Sequence, residues 1–187
     1  MAKQSLSPVD RGYRHSVSLG NAGEHLVMAH LLVRRFQAFW ADRGNPAFDI
    51  SVVDGKRHSL LRVKATSTES VVWSRKKSGV TFLDLRTQDD YVCIVDFRSG
   101  VETAPIYVVP TVEVQSAIDR GRKEWISGRK RDGSPRVDSS AQRLWLDENM
   151  RRAPYAGFQL IWKQYLGNWD QLRDLQRKSG TSAKLPS

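Results

Sequence analysis

The segment AFDISVVDGKRHSLLRVKATS, residues 47–67, decides the architecture of this chain. Two apolar-rich runs, 47–53 and 58–67, flank DGKR, and the Asp54-Gly55 pair predicts a tight hairpin because glycine takes positive φ without steric cost. Side chains alternate across a strand. Phe48, Ile50 and Val52 therefore fall on one face of the first run, with Asp49 and Ser51 on the other. In the second run Leu61, Val63 and Ala65 oppose Leu60, Arg62, Lys64 and Thr66. Folding the hairpin collects Asp49, Ser51, Arg62 and Lys64 on one face.

Outward from the hairpin, the remaining elements follow from periodicity. SVSLGNAGEHLVMAHLLVRRF (16–36) predicts a helix with Leu19, Val27, Leu31 and Leu32 on its apolar stripe, a cap at Ser16 or Ser18, and an end near Arg35. FQAFWA (36–41) reads as a first strand and DRGNP as a turn. GVTFLDL (79–85), DYVCIVDF (90–97) and APIYVVP (104–110) supply three more strands. The period then changes: TVEVQSAIDRGRKEWIS (111–127) predicts a helix capped by Thr111, with Val114, Ile118 and Trp125 turned inward. GRKRDGSPRVDSS (128–140) reads as a polar loop suited to ordering on binding, and FQLIWKQYLGNWDQLRDLQRK (158–178) as one or two closing helices with Trp162 and Trp169 in the core. A helix, five or six strands and then helices make an α/β (α+β) domain over 18–177, helical from about 111, between flexible ends at 1–17 and 178–187.

Composition narrows the function classes. With 40% hydrophobic and 27% charged residues, the 187-residue chain carries enough apolar side chains for a folded core. No apolar run approaches the ~18 residues of a membrane span, and the N-terminal residues lack the apolar centre of a secretory signal, so a cytoplasmic protein is expected. The single cysteine, Cys93, excludes an internal disulfide and a Cys-cluster zinc site and reads as a core residue. His15, His25, His30 and His58 lack metal-ligand spacing, and no Ser–His–Asp arrangement suggests acyl chemistry. The formal net charge of +10, from 30 Lys and Arg against 20 Asp and Glu, points to a polyanion, nucleic acid first. The basic residues cluster, which nominates Arg75, Lys76, Lys77, Arg129, Lys130 and Arg131 for phosphate contact and Trp73 for stacking on a base or sugar.

One constellation carries chemistry. Glu24 shares a helix face with Val27, Met28 and Leu31, where an acid is costly without a partner. GNAGE (20–24) on a helix, then FDI (48–50), then a hairpin into VK (63–64) resembles the PD-(D/E)XK nuclease superfamily, most of all its small restriction-endonuclease-like and resolvase-like bacterial members. The resemblance covers about residues 18–97. It implies a restriction-endonuclease-like fold around a central mixed sheet of five or six strands, and phosphodiester hydrolysis of DNA with Mg²⁺ or Mn²⁺. It also implies roles: Asp49 and Glu24 as metal ligands with the Val63 carbonyl, and Lys64 as the lysine that positions or deprotonates the attacking water.

Arg62 departs from that pattern, because the superfamily has an acid there, or in some members Gln, whereas Arg reverses the sign. A guanidinium about 5 Å from a divalent ion costs on the order of 6 kcal/mol at an effective dielectric near 20. Glu69 and Asp54 are the nearest replacement acids, and neither occupies a matching position. Four readings follow: an active nuclease in which Arg62 swings aside to contact phosphate; a catalytically degenerate relative that serves as a DNA-binding or regulatory module, with Arg62 in direct contact with Asp49 or Glu24; a buried ion-pair cluster of Glu24 and Asp49 with Arg62 and Lys64; and a basic surface for an acidic protein. A homodimer is compatible with each.

Overall fold

The computed structural model describes residues 8–42, 44–74, 90–146 and 162–174, with side chains from Val17 onward. The strand expected at 79–85, the basic residues Arg75, Lys76 and Lys77, and parts of the closing helices lie outside these described residues.

Helix α1 spans Pro8–Val33, so it begins eight residues ahead of the cap expected at Ser16. Proline's fixed φ suits a first helical turn. At the other end Arg35 takes φ 63°, and the amides of Arg35 and Phe36 donate to the carbonyls of Leu32 (2.9 Å) and Leu31 (3.1 Å). That is a Schellman cap with arginine in the left-handed position, and it turns Phe36 into the core. Strands β1 (Gln37–Trp40), β2 (Ile50–Asp54) and β3 (Arg57–Thr66) follow, then β4 (Ser70–Ser74), β5 (Asp90–Asp96), β6 (Ile106–Pro110), helix α2 (Thr111–Ser127) and β7 (Ala141–Trp145).

Five strands form one mixed sheet in the order β1-β2-β3-β5-β6, in which β3 and β5 run parallel and the other pairs antiparallel. Every residue of β5 is buried. Burial on both faces demands a continuous apolar run, and YVCIV meets that demand. Cys93 sits in it with no exposure, as expected of a core residue. On one face α1 lays Val27, Met28 and Leu31 over Ile50, Val52, Leu61, Val63, Cys93 and Val95. On the other, α2 and a separate two-stranded sheet, β4–β7, cover Val92, Ile94 and Val109 with Val114, Ile118, Val71, Trp73 and Leu144. The expected α/β architecture, a mixed sheet with a helix before and after it, is therefore present.

Several local expectations are corrected. Leu32 is 55% exposed and Trp125 42% exposed, so neither faces the core. Pro110 stands at the cap of α2, and the Thr111 hydroxyl is buried without a hydrogen-bond partner. Phe48 packs with Leu60 against the second cluster, away from Ile50 and Val52, because β2 begins only at Ile50. Within 128–140, Lys130 N donates to Ser134 O at 2.9 Å and Arg129 Nη1 to Gly133 O at 2.9 Å, so the loop is organised by its own bonds.

The chain then returns to the first hairpin. Residues 162–174 contain 3-10 turns at Lys163–Tyr165 and Trp169–Leu172 where α-helix is expected, and bury Trp162, Trp169 and Leu172. Asp174 N donates to Asp54 Oδ2 at 2.8 Å, Lys56 N donates to Asp174 Oδ2 at 2.9 Å, and Arg173 pairs with Asp54 at 3.3 Å. Gly55, at φ 63°, is required twice over: a Cβ there would lie 2.6 Å from Asp174 Oδ2. No helix among the described residues is long and apolar enough to cross a membrane.

Candidate active site

Asp49 sits just ahead of β2, yet main-chain bonds hold it on both sides. Its amide donates to Leu61 O and its carbonyl accepts from Ala41 N, each at 2.9 Å. Its side chain completes the rung: Asp49 Oδ2 accepts from Val63 N at 2.7 Å, so a carboxylate replaces the carbonyl that a continuing strand would offer. Because one oxygen is bonded to the β3 main chain, the carboxylate lies beside the edge of β3 where β2 begins.

Glu24, on α1, lies within electrostatic reach of Asp49. The helix comes close to β3 at Gly23, where a Cβ would lie 2.8 Å from Ala65 Cβ and 3.6 Å from Val63 Cγ1 and Val95 Cγ2. The second glycine of GNAGE thus serves close approach, whereas nothing lies within 4 Å of a Cβ at Gly20. Burial pushes the half-buried Glu24 carboxyl above the usual glutamate range, Asp49 pushes it further, and His25 opposes both. Gly23→Ala is expected to push α1 off β3 and cost about 1–3 kcal/mol from overpacking, offset by up to ~1 kcal/mol of helix propensity. Urea denaturation gives the net loss, and a Gly23→Ala protein as stable as the parent with unchanged metal uptake would refute the close-approach role.

Lys64 is more loosely joined to this pair. Its Nζ lies 6.0 Å from the centroid of Trp73, on the β4 side of the sheet. Burial lowers its pKa, Arg62 lowers it further, and Asp49 raises it, so Lys64 is within electrostatic reach of the carboxylate. Arg62 is anchored elsewhere: Nη1 donates to Pro46 O at 2.7 Å and to Ala47 O at 3.4 Å. Asn45 Oδ1, accepting from Ala47 N at 2.9 Å, shapes the turn that presents those carbonyls. The ion pair expected between Arg62 and Asp49 or Glu24 is therefore not formed.

The other candidates divide. Asp54 is tied to Arg173 and Asp174 at the opposite end of β2, and Glu69 is exposed beyond β3, so neither replaces the missing acid. Trp73 is 3% exposed within the second core cluster; it cannot offer a face to a base, which corrects its assignment as a stacking residue. Arg129, Lys130 and Arg131 lie exposed on the loop after α2. The partner of Arg62 was not foreseen, although the Asn-Pro turn that supplies it is visible in the sequence.

Among the described residues no group of three or more His, Cys, Asp and Glu side chains is placed to hold a metal. Mg²⁺ needs fewer, since it keeps several waters and is commonly held by one or two carboxylates plus substrate phosphate. Glu24 and Asp49 are hard oxygen donors, and the upward push of Asp49 on Glu24 marks a negative charge density that a cation offsets. Two carboxylates are the kind of donor that Mg²⁺ takes, although one Asp49 oxygen already accepts from the Val63 main-chain N–H.

No protein-family model matches the chain, and no curated protein matches it. Among solved structures, the chain is similar to a Holliday junction resolvase from the archaeal hyperthermophile Archaeoglobus fulgidus, at a TM-score of 0.42 and 15% identity over 67% of this chain and 83% of that one. It is also similar to a bacterial homing endonuclease, at a TM-score of 0.43 and 13% identity over 86% of this chain and 92% of that one.

Proposed function

We propose that this protein is a Mg²⁺- or Mn²⁺-dependent phosphodiester hydrolase acting on DNA, built on the PD-(D/E)XK pattern. The observation that carries the reading is the placement of Arg62, whose guanidinium is bonded to the Pro46 and Ala47 carbonyls and forms no ion pair with Glu24 or Asp49. Glu24 and Asp49, with the Val63 carbonyl, would hold the metal, which would supply Lewis-acid polarisation of the scissile phosphate. Lys64 orients the attacking water and accepts its proton. Its lowered pKa brings the neutral amine nearer the working pH. Arg62, Arg75, Lys76, Lys77, Arg129, Lys130 and Arg131 contact the phosphate backbone, which makes affinity fall steeply with salt. The test is incubation of the purified protein with duplex and branched DNA in Mg²⁺, Mn²⁺ or EDTA. Metal-dependent cleavage is expected, and salt-sensitive binding without cleavage in either metal would refute the hydrolase.

A non-cleaving DNA-binding module is the second reading, favoured because no third acid among the described residues stands beside Glu24 and Asp49. Arg62→Glu restores the charge that the pattern calls for. It is expected to tighten Mn²⁺ binding by about tenfold or more in calorimetry, since removing a cation and adding a carboxylate both favour the ion. Unchanged affinity would mean that position 62 does not face the metal.

A further inference from the structure

A cavity of about 420 Å³ opens between α2, the loop that follows it and β7, and neither Glu24 nor Asp49 lines it. Two indoles, Trp125 and Trp145, line it, and each carries a guanidinium: Arg136 lies 4.0 Å from the centroid of Trp125, and Arg143 5.2 Å from that of Trp145. The walls are held in place. Arg122 Nε donates to Asp138 Oδ1 at 2.9 Å across the cavity, Arg136 Nε donates to Arg129 O at 3.1 Å, and the buried Gln142 fixes its amide on Ser139 O at 2.7 Å. Asp138 is matched by Arg122, so Arg143 leaves the lining net positive, and Arg136 adds a second cation against Trp125.

We propose that this cavity receives one unpaired nucleobase of a DNA strand. The aromatic surface suits the π-face of a base, and stacking on Trp tolerates any base identity. The flanking arginines suit the phosphates on either side, and the volume falls within the range of small-ligand pockets. A base inside a duplex cannot enter a cleft between a helix and a strand without leaving its stack, so the occupant is unpaired or extrahelical. An apolar small molecule fits less well, because it would gain nothing from the cationic rim. The inference rests on the nucleic-acid partner proposed above and is independent of cleavage.

The experiment is fluorescence anisotropy in EDTA with two labelled duplexes, one fully paired and one carrying a single unpaired adenine. The parent protein is expected to bind the bulged duplex about tenfold more tightly, the size of one base–aromatic stack. Trp125→Ala, at an already exposed position, and Ala141→Phe, which fills the cavity without removing any ligand group, should each erase that preference and leave paired-duplex affinity within about twofold. Equal affinity of the parent for both duplexes overturns the proposal, as does a parallel loss for both duplexes in the two variants. Bulge preference without metal-dependent cleavage sinks the hydrolase alone, whereas binding to neither duplex sinks both.

Discussion

Replacing Asp49 by alanine is expected to lower metal-dependent DNA cleavage by about 10³-fold or more, because a ligand that sustains several kcal/mol of transition-state charge stabilisation is lost. The same substitution destabilises the fold. Val63 N, which now donates to Asp49 Oδ2 at 2.7 Å, is left without that acceptor at a buried position, at a cost of about 1–3 kcal/mol. Asp49→Asn separates the two roles, since an amide oxygen still accepts from Val63 N while the charge is gone. Its stability should stay close to that of the parent and its cleavage should be as poor as that of Asp49→Ala. Urea denaturation and a plasmid-cleavage assay on both variants make the check, and cleavage surviving in both would leave Asp49 a purely structural residue.

Lys64→Ala is expected to reduce cleavage by about 10²- to 10⁴-fold, the usual contribution of a positioned general base. Unlike Asp49→Ala, it should not weaken the protein at neutral pH. Burial and Arg62 hold the Lys64 pKa below the ordinary lysine range, so the folded state disfavours the ammonium relative to the unfolded chain. That penalty is full below the folded pKa and is relieved as pH rises from the folded value towards the unfolded one. Lys64→Met is therefore expected to be more stable than the parent at neutral pH, with the advantage shrinking in alkali. Glu24 has the mirror sign: its carboxyl is raised, so its favourable contribution is present at acid pH and lost as pH rises through the folded value. Stability curves against pH for the parent and Lys64→Met decide the matter; a variant weaker than the parent at neutral pH would assign Lys64 to packing.

The fold was legible where one physical signal dominated. The Asp54-Gly55 hairpin, the continuous burial of β5 and the 111–127 helix all follow from turn chemistry or periodicity, and each stands where it is predicted. Strands β4 and β7 were missed because each is five residues long and finds its partner far along the chain, 71 residues away for Val72 and Arg143. Local pattern carries no trace of such a pairing. That Glu24 and Asp49 lie within electrostatic reach of each other was legible because acids among apolar neighbours demand a reason. The setting of Arg62 was not, since its acceptors are main-chain carbonyls that any residue type supplies. Alternation also misplaced Phe48, because the strand register breaks where the Asp49 side chain enters the ladder.

The clasp between the first hairpin and residues 173–174 bears on how the chain is made. Asp54 and Lys56 emerge early in synthesis, but their partners follow 118 to 120 residues later. Until then the Asp54 carboxylate lacks these partners, and the apolar site that Trp169 and Leu172 fill stays open against Val27, Leu31 and Val52. Contacts this far apart in sequence close slowly and late. The clasp can therefore close only after Asp174 has been made, later than every strand of the five-stranded sheet.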